Sequence, residues 1–546
     1  MKKFILAFFI ICLCSGSLFA EKVVGVTAFQ NLTKNPKLKW MEIGIADSIS
    51  LKLRNVPEFI VIDRTNVDKV INEIQFGQSG LIDDKTAKKA GKALNADILV
   101  VGNFQVYGNR VRITAKIVEV ESHKILKQVQ STGIMDSIFD LQDDIALKII
   151  DEKNIQVTKD IKERITEKYT SNLTAYEFYS KGQKFYYNAS YDKAIELFNK
   201  AVNVDSRYSL AYAGLGKAYA NQYWKLKNYA NTYNPKLLDK SYEYTKKALK
   251  YSPNLDEAHL SLAKYYQNVD KKKVPDKWKK CEEITKKVIE LNPNNGEAYF
   301  LMSRIYGYND AKEEEYIKKA LSKNSFLVDG YNNLGIIYTS QKKYDLAEEQ
   351  FKKAIEIDPE YKTAYMNVGV VYDRQGKLQK ALDMYKIVVE KYPNYPLGLV
   401  NVGIGYRRLN KYDEALPYFK KAVKIKPDYP FGWGEVAYIY LKKKDYKKAI
   451  KYYKESLKYD PKYKFSLANL GYSYEKLGKY NTAIMYLKRA VRYHPKYAWP
   501  MGELGYIYRY KLKNNKLALQ WYTKALINNP TSTLYQRQVR ELSNIQ

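Results

Sequence analysis

The chain has 546 residues, 92 Lys and Arg against 59 Asp and Glu, a formal net charge of +33, and three cysteines. That length predicts more than one domain, an apolar content of 46% excludes a disordered chain, and so few cysteines exclude a disulfide-built scaffold. The positive charge admits an acidic partner such as nucleic acid or an anionic membrane surface. Lysine is spread evenly among Asn, Ile and Tyr, however, as the solvated faces of many helices would be.

Residues 1–20 have the layout of an export leader. Met1-Lys2-Lys3 is a positive start, Phe4 to Leu13 an apolar run too short for an ordinary membrane span, and Ser15 to Ala20 a small-residue exit. Cleavage fits after Ala20 or after Ser17. The reading is a signal peptide, with the mature chain in the periplasm or outer envelope of a bacterium. Cys12 and Cys14 raise a lipid-anchored alternative, opposed by the bulky Ile11 and Leu13 that precede them. Peripheral attachment to a membrane also stays open. Cys281 then remains, at a position where a small core residue is expected.

Residues 21–133 read as an α/β (α+β) sandwich. Val23 to Phe29 is a buried strand, Trp40 to Leu53 a helix, and Phe59 to Asp63 a second strand. Val67, Val70, Ile71 and Ile74 mark a helix face, Ile82 to Leu94 another, and Asp97 begins a third strand. Gly108-Asn109 is a two-residue hairpin signal before the alternating Val111, Ile113, Ala115 and Ile117, and Ser122-His123 makes the next turn. Asp63 or Thr65 is expected to cap the following helix. The runs Phe59 to Glu73 and Ala96 to Gly102 resemble the envelope family that includes the TolB amino-terminal domain and the curli-secretion lipoprotein CsgG. That resemblance implies a non-enzymatic assembly module outside the cytoplasm. The hairpin at Tyr107 to Arg110 is too short for the pore-forming hairpins of CsgG, and no propeller follows as in TolB, so neither property is carried over.

A linker helix is expected within 134–172, around Met135–Ile150. Asp140 and Asp144 share a face of it, and solvated carboxylates on early helical turns explain them better than a metal pair. No nucleotide-binding loop or nucleophile elbow occurs, and His123, His259 and His494 lack partners at metal-ligand spacing. The expectation is a non-enzyme with no catalytic residues, metal or cofactor.

From 173 to 530 the sequence repeats. Gly335, Gly369, Gly403, Ala437, Gly471 and Gly505 recur at one interval, each followed three residues on by tyrosine. In one unit Tyr331, Leu334, Gly335 and Tyr338 share the face of a first helix, Ala347, Phe351 and Ala354 that of a second, and Pro359 stops it. The pattern resembles the tetratricopeptide repeat, which implies an all-α solenoid, here a superhelix of about ten helix pairs. Upstream, Gly182 and Gly216 keep the register. The unit containing Trp224 to Pro235 carries an insertion, Lys271 to Pro275 is a long loop, and the unit around Ser303 and Ala320 is slightly short. The last unit has one extra residue in its turn, and residues 531–546 should close the stack with a helix over Leu534 to Leu542.

In this repeat family the position two before the small residue points into the groove. Here those positions are Asn333, Asn367, Asn401, Glu435, Asn469 and Glu503. An amide side chain donates and accepts, so one per unit can track a peptide backbone, resembling the asparagine ladder of the superhelical repeats of O-linked N-acetylglucosamine transferase. Five positions after the small residue, Arg374, Arg408, Lys442 and Lys476 favour an acidic segment; ordinary helix-end cations are the plainer reading. Ile336, Val370 and Ile404 rule against the carboxylate clamp of chaperone-cofactor repeats. The expected function is an exported envelope scaffold whose groove binds a peptide or protein. Two alternatives are a secretion or outer-membrane assembly component acting through residues 21–133, and a nucleic-acid or anionic-surface binder, which an export leader opposes.

Overall fold

The computed structural model describes residues 21–74, 84–122, 124–152, 155, 157–229, 234–307 and 311–545. The leader with Cys12 and Cys14, and His123, lie outside them. The chain divides into two compact units, residues 1–330 and 331–546.

The first unit opens with a five-stranded mixed sheet ordered β2-β1-β3-β4-β5. Its strands are β1 (Lys22–Asn31), β2 (Phe59–Val61), β3 (Ile98–Tyr107), β4 (Arg110–Glu119) and β5 (Ile125–Ile134). β1 runs parallel to β2 and β3, so helices must make the crossovers: α1 (Met41–Leu53) between β1 and β2, then α2 (Arg64–Glu73) and α3 (Asp84–Ala93) before β3. β3 to β5 form the antiparallel meander, and Tyr107 pairs directly with Arg110 around Gly108, whose φ of 58° suits the two-residue turn. Asp63 Oδ1 accepts from Thr65 N at 3.0 Å, the expected cap.

Period-2 side chains divide between the two faces of the sheet. Val24, Val26, Ile98, Val100, Ile113 and Ala115 pack with α1 and with α4 (Ile138–Asp151). Leu99, Val101 and Val118 pack with Val67 and Val70 of α2, Ala90 of α3 and Leu94 just after it. After α5 (Lys159–Ile165) come four helix pairs: α6 (Leu173–Tyr187) with α7 (Tyr191–Val204), α8 (Ser209–Tyr229) with α9 (Pro235–Tyr251), α10 (Asp256–Asn268) with α11 (Lys277–Leu291), and α12 (Gly296–Tyr306) with α13 (Ala311–Lys323). The expected insertion lengthens α8 and α9, and the Lys271 to Pro275 loop joins α10 to α11. The core of the α1–α4 face runs on without a break into Tyr176, Phe198, Tyr208 and Leu215 of the first repeats.

The second unit holds six pairs: α14 (Val328–Ser340) with α15 (Tyr344–Ile357), α16 (Lys362–Arg374) with α17 (Leu378–Lys391), α18 (Pro396–Arg408) with α19 (Tyr412–Ile425), α20 (Pro430–Lys442) with α21 (Tyr446–Tyr459), α22 (Lys464–Lys476) with α23 (Tyr480–Tyr493), and α24 (Ala498–Tyr506) with α25 (Asn515–Asn528). α26 (Thr533–Ser543) closes it. The small column is filled from across each hairpin. A Cβ on Gly335, Gly369 or Gly403 would fall 2.6, 2.3 or 2.7 Å from a ring atom of Phe351, Tyr385 or Phe419. The turns use one left-handed residue per unit, Lys342, Gly376, Asn410, Lys444, Gly478 and Lys513. The extra residue of the last unit is absorbed by a π-helical turn over Ile507–Lys511.

Candidate functional site

In the second unit the first helices of neighbouring pairs touch: α16 with α18, α20 with α22, α22 with α24. They form its inner layer, where a solenoid binds. The predicted asparagines sit on these helices. Asn333 is buried beside Asn332, and Asn367 donates from Nδ2 to Asn332 Oδ1 at 2.8 Å, so the first two rungs join through a residue sequence reasoning did not single out. Asn401 is half-buried, and Asn469, also half-buried, donates to its own helix at Phe465 O, 2.9 Å. Glu435 pairs with Arg407 at 2.9 Å, and burial raises its pKa against the pull of that guanidinium. Glu503 has neither a hydrogen-bond nor an ion-pair partner among the described residues. Burial, reinforced by Glu475 and opposed by Lys476, pushes its pKa up to about 7.

The four predicted cations are exposed on the same helices. Arg408 pairs with Asp373 at 2.9 Å. Lys442 lies 5.4 Å from the ring centre of Tyr438. Lys476 pairs with Glu475 at 3.0 Å and sits over Tyr472 and Tyr506. Arg374 is exposed at the end of α16. The wall is therefore mixed in charge. The carboxylates Asp373 and Glu475, four after the small residue, and the tyrosines Tyr438, Tyr472 and Tyr506, one after it, were readable as columns of the repeat.

In the first unit the same inner column is Ser180, Gly214, Ser261 and Leu301, and all four are buried. Gly214 lies against Phe198 of α7 and Leu301 clusters with Ala263 and Cys281, whereas Ser180 meets the chain's own α/β domain. A Cβ on Gly44 of α1 would come within 2.7 Å of Ser180 Oγ and 3.0 Å of the Tyr176 hydroxyl oxygen. Asn294, just before α12, donates from Nδ2 to Pro57 O at 2.7 Å and Phe59 O at 3.1 Å. Glu257 of α10 joins the layers. Its Oε1 meets Arg54 Nη1 at 2.7 Å and its Oε2 meets Lys217 Nζ at 3.1 Å. Burial raises the Glu257 carboxyl, but Lys217 and Arg54 outweigh it and bring the pKa down to about 2.

Next to this bridge a cavity opens between α1 and α6, with an empty volume of about 750 Å³ including its mouth. Asp47, Arg64, Phe139, Tyr176, Tyr179 and Tyr187 are among its walls. Asp47 has both carboxylate oxygens sealed from solvent without a hydrogen-bond donor in ordinary geometry. Burial dominates its pKa, which rises to about 7 although Arg64, a Tyr187 hydroxyl contact and Arg54 all pull it down. Of these charged residues only Arg64 lies in a run singled out from the sequence, Phe59 to Glu73. Arg54 and Glu257 are separated by most of two domains in sequence, and no local pattern links them.

Comparison with known proteins gives the following. Family models of the tetratricopeptide repeat match residues 328–361, 363–395, 396–429, 430–463, 452–485 and 469–533. The model described as the curli production assembly/transport component CsgG matches residues 16–117. A protein of Rhizobium meliloti (strain 1021), provisionally named adenylate cyclase 3, is 22% identical over 199 residues, 36% of this chain and 32% of that protein. The chain thus spans about a third of that relative's length. Among solved structures, yeast Tom70 is similar at 15% identity and a TM-score of 0.40, covering 68% of this chain and 95% of that one. Pseudomonas aeruginosa pilF is similar at 18% identity and a TM-score of 0.35, covering 40% and 97%.

Proposed function

Because the chain is a tetratricopeptide-repeat protein with a CsgG-like domain at its N-terminus, a protein-interaction scaffold by its architecture, we propose that its second unit captures an extended peptide segment of a protein partner. The observation that carries this reading is the contrast between the two inner columns. In the first unit the column is small or apolar and buried, with Ser180 against Gly44 of the α/β domain. In the second unit it changes to Asn367, Asn401 and Asn469, each half-buried, and such amides can pair with a backbone whatever its side chains are. Arg374, Arg408, Lys442 and Lys476 favour a segment bearing carboxylates. The setting we propose is the bacterial envelope, reached through the leader of residues 1–20. The CsgG description, assembly and transport, supports that setting. No described helix is long and apolar enough to cross a membrane.

Crosslinking from the envelope with and without residues 331–546 identifies the segment. Titration of that segment against the Asn367→Ala, Asn401→Ala double variant then tests the groove. A loss of about 1 kcal/mol per hydrogen bond is expected, and unchanged affinity with unchanged helicity refutes the ladder. A second reading, assembly through the CsgG-like domain, rests on the match over residues 16–117. Its test is whether the full chain forms ring-like oligomers that persist when 331–546 are removed.

A further inference from the structure

Two columns of the inner layer change character along the chain. They lie six residues before the small residue and one after it. In the first unit they carry opposite charges that satisfy each other across neighbouring repeats: Lys217 pairs with Glu257 at 3.1 Å, and Lys264 with Glu297. In the second unit the first column becomes Leu397, Phe431, Phe465 and Trp499, and the other becomes Ile404, Tyr438, Tyr472 and Tyr506. The counterpart of the Lys217–Glu257 pair is there Tyr472 against Trp499, with ring centres 5.9 Å apart. Ring contacts run on from Tyr463 to Phe465, to Tyr497 and to Trp499, at 5.8, 6.1 and 6.4 Å. Phe465 is 46% exposed and Leu397 40%. Soluble proteins rarely leave so many neighbouring apolar side chains to water unless something covers them.

The spacing of these rings selects a backbone. Each repeat contributes one to the column, and packed helices lie about 8–10 Å apart. A polyproline-type segment returns to the same face every third residue, after about 9 Å. A β-strand does so every second residue, after about 7 Å, and falls out of step within two repeats. Aromatic grooves also suit proline, whose ring stacks on theirs and whose extended form is largely set in advance.

Charge singles out one end of the column. Lys464 lies 4.8 Å from the Phe465 ring centre and Lys442 5.4 Å from that of Tyr438, so those repeats already hold a cation of their own. At the Trp499 end stands Glu503, half-buried, with neither oxygen sealed from solvent. The charged groups that act on it, Glu475 and Lys476, pair with each other at 3.0 Å. Arg509, held by Glu541 at 2.8 Å, and Lys511, 5.6 Å from the Tyr506 ring centre, form no ion pair with it. Glu503 is thus a reachable carboxylate beside aromatic rings that lacks a counter-charge among the described residues.

We propose that the aromatic column of α20, α22 and α24 binds a segment of polyproline type, with an apolar side chain at every third residue and a lysine or arginine at the end that meets Glu503. This rests on the reading of the second unit as a peptide groove and specifies the ligand of its last repeats. Carboxylates of the same segment then belong further upstream, toward Arg374 and Arg408.

The test is fluorescence-anisotropy titration of the full chain at about pH 8, above the raised pKa of Glu503. The probes are labelled peptides of three Phe-Pro-Pro triplets with lysine at the first or the last position, since either chain direction satisfies the register. The controls carry glutamine for lysine, or the same composition with the phenylalanines at alternate residues. One lysine peptide should bind with a Kd of about 100 μM or below. Its glutamine control should bind about threefold or more weaker, and the alternate spacing about tenfold weaker. Phe465→Ala should cost about tenfold. Glu503→Gln should bring the lysine peptide to the level of the glutamine peptide and leave the latter unchanged, both variants keeping wild-type helicity. No binding of either lysine peptide, equal binding of the two spacings, Phe465→Ala binding as the wild type does, or a preference for lysine that survives Glu503→Gln would each overturn the assignment. A crosslinked envelope segment whose binding depends on Asn367 and Asn401 but not on Phe465 would overturn this inference alone, whereas one that depends on none of the three would overturn the groove as well.

Discussion

Replacing Glu257 by Gln removes the carboxylate that ties α1 to α8 and α10 while leaving its shape. Two cations then remain, Arg54 and Lys217, with side chains only 23% and 27% exposed. Stranding buried charges in this way costs about 3–5 kcal/mol. An independent figure comes from the carboxyl itself. Its pKa falls from the ordinary 4.5 to about 2, which corresponds to about 3 kcal/mol of stability at neutral pH. The sign follows from proton counting: the folded state holds the proton more weakly, so this stability is complete above 4.5 and is lost as pH falls through 2. Hydrogen exchange on the full chain, read at amides of α1, α8 and α10, reports the loss where it occurs, and it does not require the two units to unfold together. Protection in those helices should fall by about 3 kcal/mol at pH 7, and the gap between variant and wild type should narrow below about pH 4.5. A loss under about 1 kcal/mol, the size of a surface pair, would mean that the bridge does not hold the domain to the repeats.

Asp47 titrates in the opposite sense. Its folded pKa of about 7 against an ordinary 3.8 means that the folded state binds the proton more tightly. Wild-type stability should decline from about pH 4 to 7, by up to about 4 kcal/mol. In thermal melts Asp47→Asn should flatten that decline. Gly369→Val places a branched side chain where Tyr385 Cε1 lies 2.3 Å from the added Cβ; a loss of about 3 kcal/mol is expected in urea unfolding. Gly369→Ala should be milder, since the equivalent Ala437 is already fully buried beside Tyr453 in the same local cluster. The Cys281 thiol, buried and donating to Ala263 O at 3.3 Å, has its pKa pushed up to about 11. It should resist alkylation in the native protein near pH 8. A fast-reacting thiol in the mature protein would therefore report that Cys12 or Cys14 was retained.

The repeats were visible in the sequence because their determinants are local. Gly335 and Phe351 lie within one hairpin, and the alternation from Val111 to Ile117 needs only its own strand. The extra residue near 507 was countable, but that it enters a π-turn depends on packing against α25. The bridge of Arg54, Lys217 and Glu257 was not visible, because each is an ordinary charged residue on an amphipathic helix until the fold brings them together.

One clue to that assembly was nevertheless written in the repeat itself. If all ten units used their inner column alike, asparagine should begin with the first. It begins at Asn333, and Ser180, Gly214, Ser261 and Leu301 stand in its place upstream. A small or apolar side chain loses little when another surface covers it, whereas a buried amide left without partners costs about 1–3 kcal/mol. Ser180, against Gly44 of α1, is the position of that column where such a cost would fall. Substituting Ser180 by Asn tests that logic directly. The longer side chain would collide with Gly44, across from Ser180 Oγ, and should weaken protection of α1 without affecting residues 331–546. Unaltered protection of α1 would mean that the α/β domain does not rest on this column.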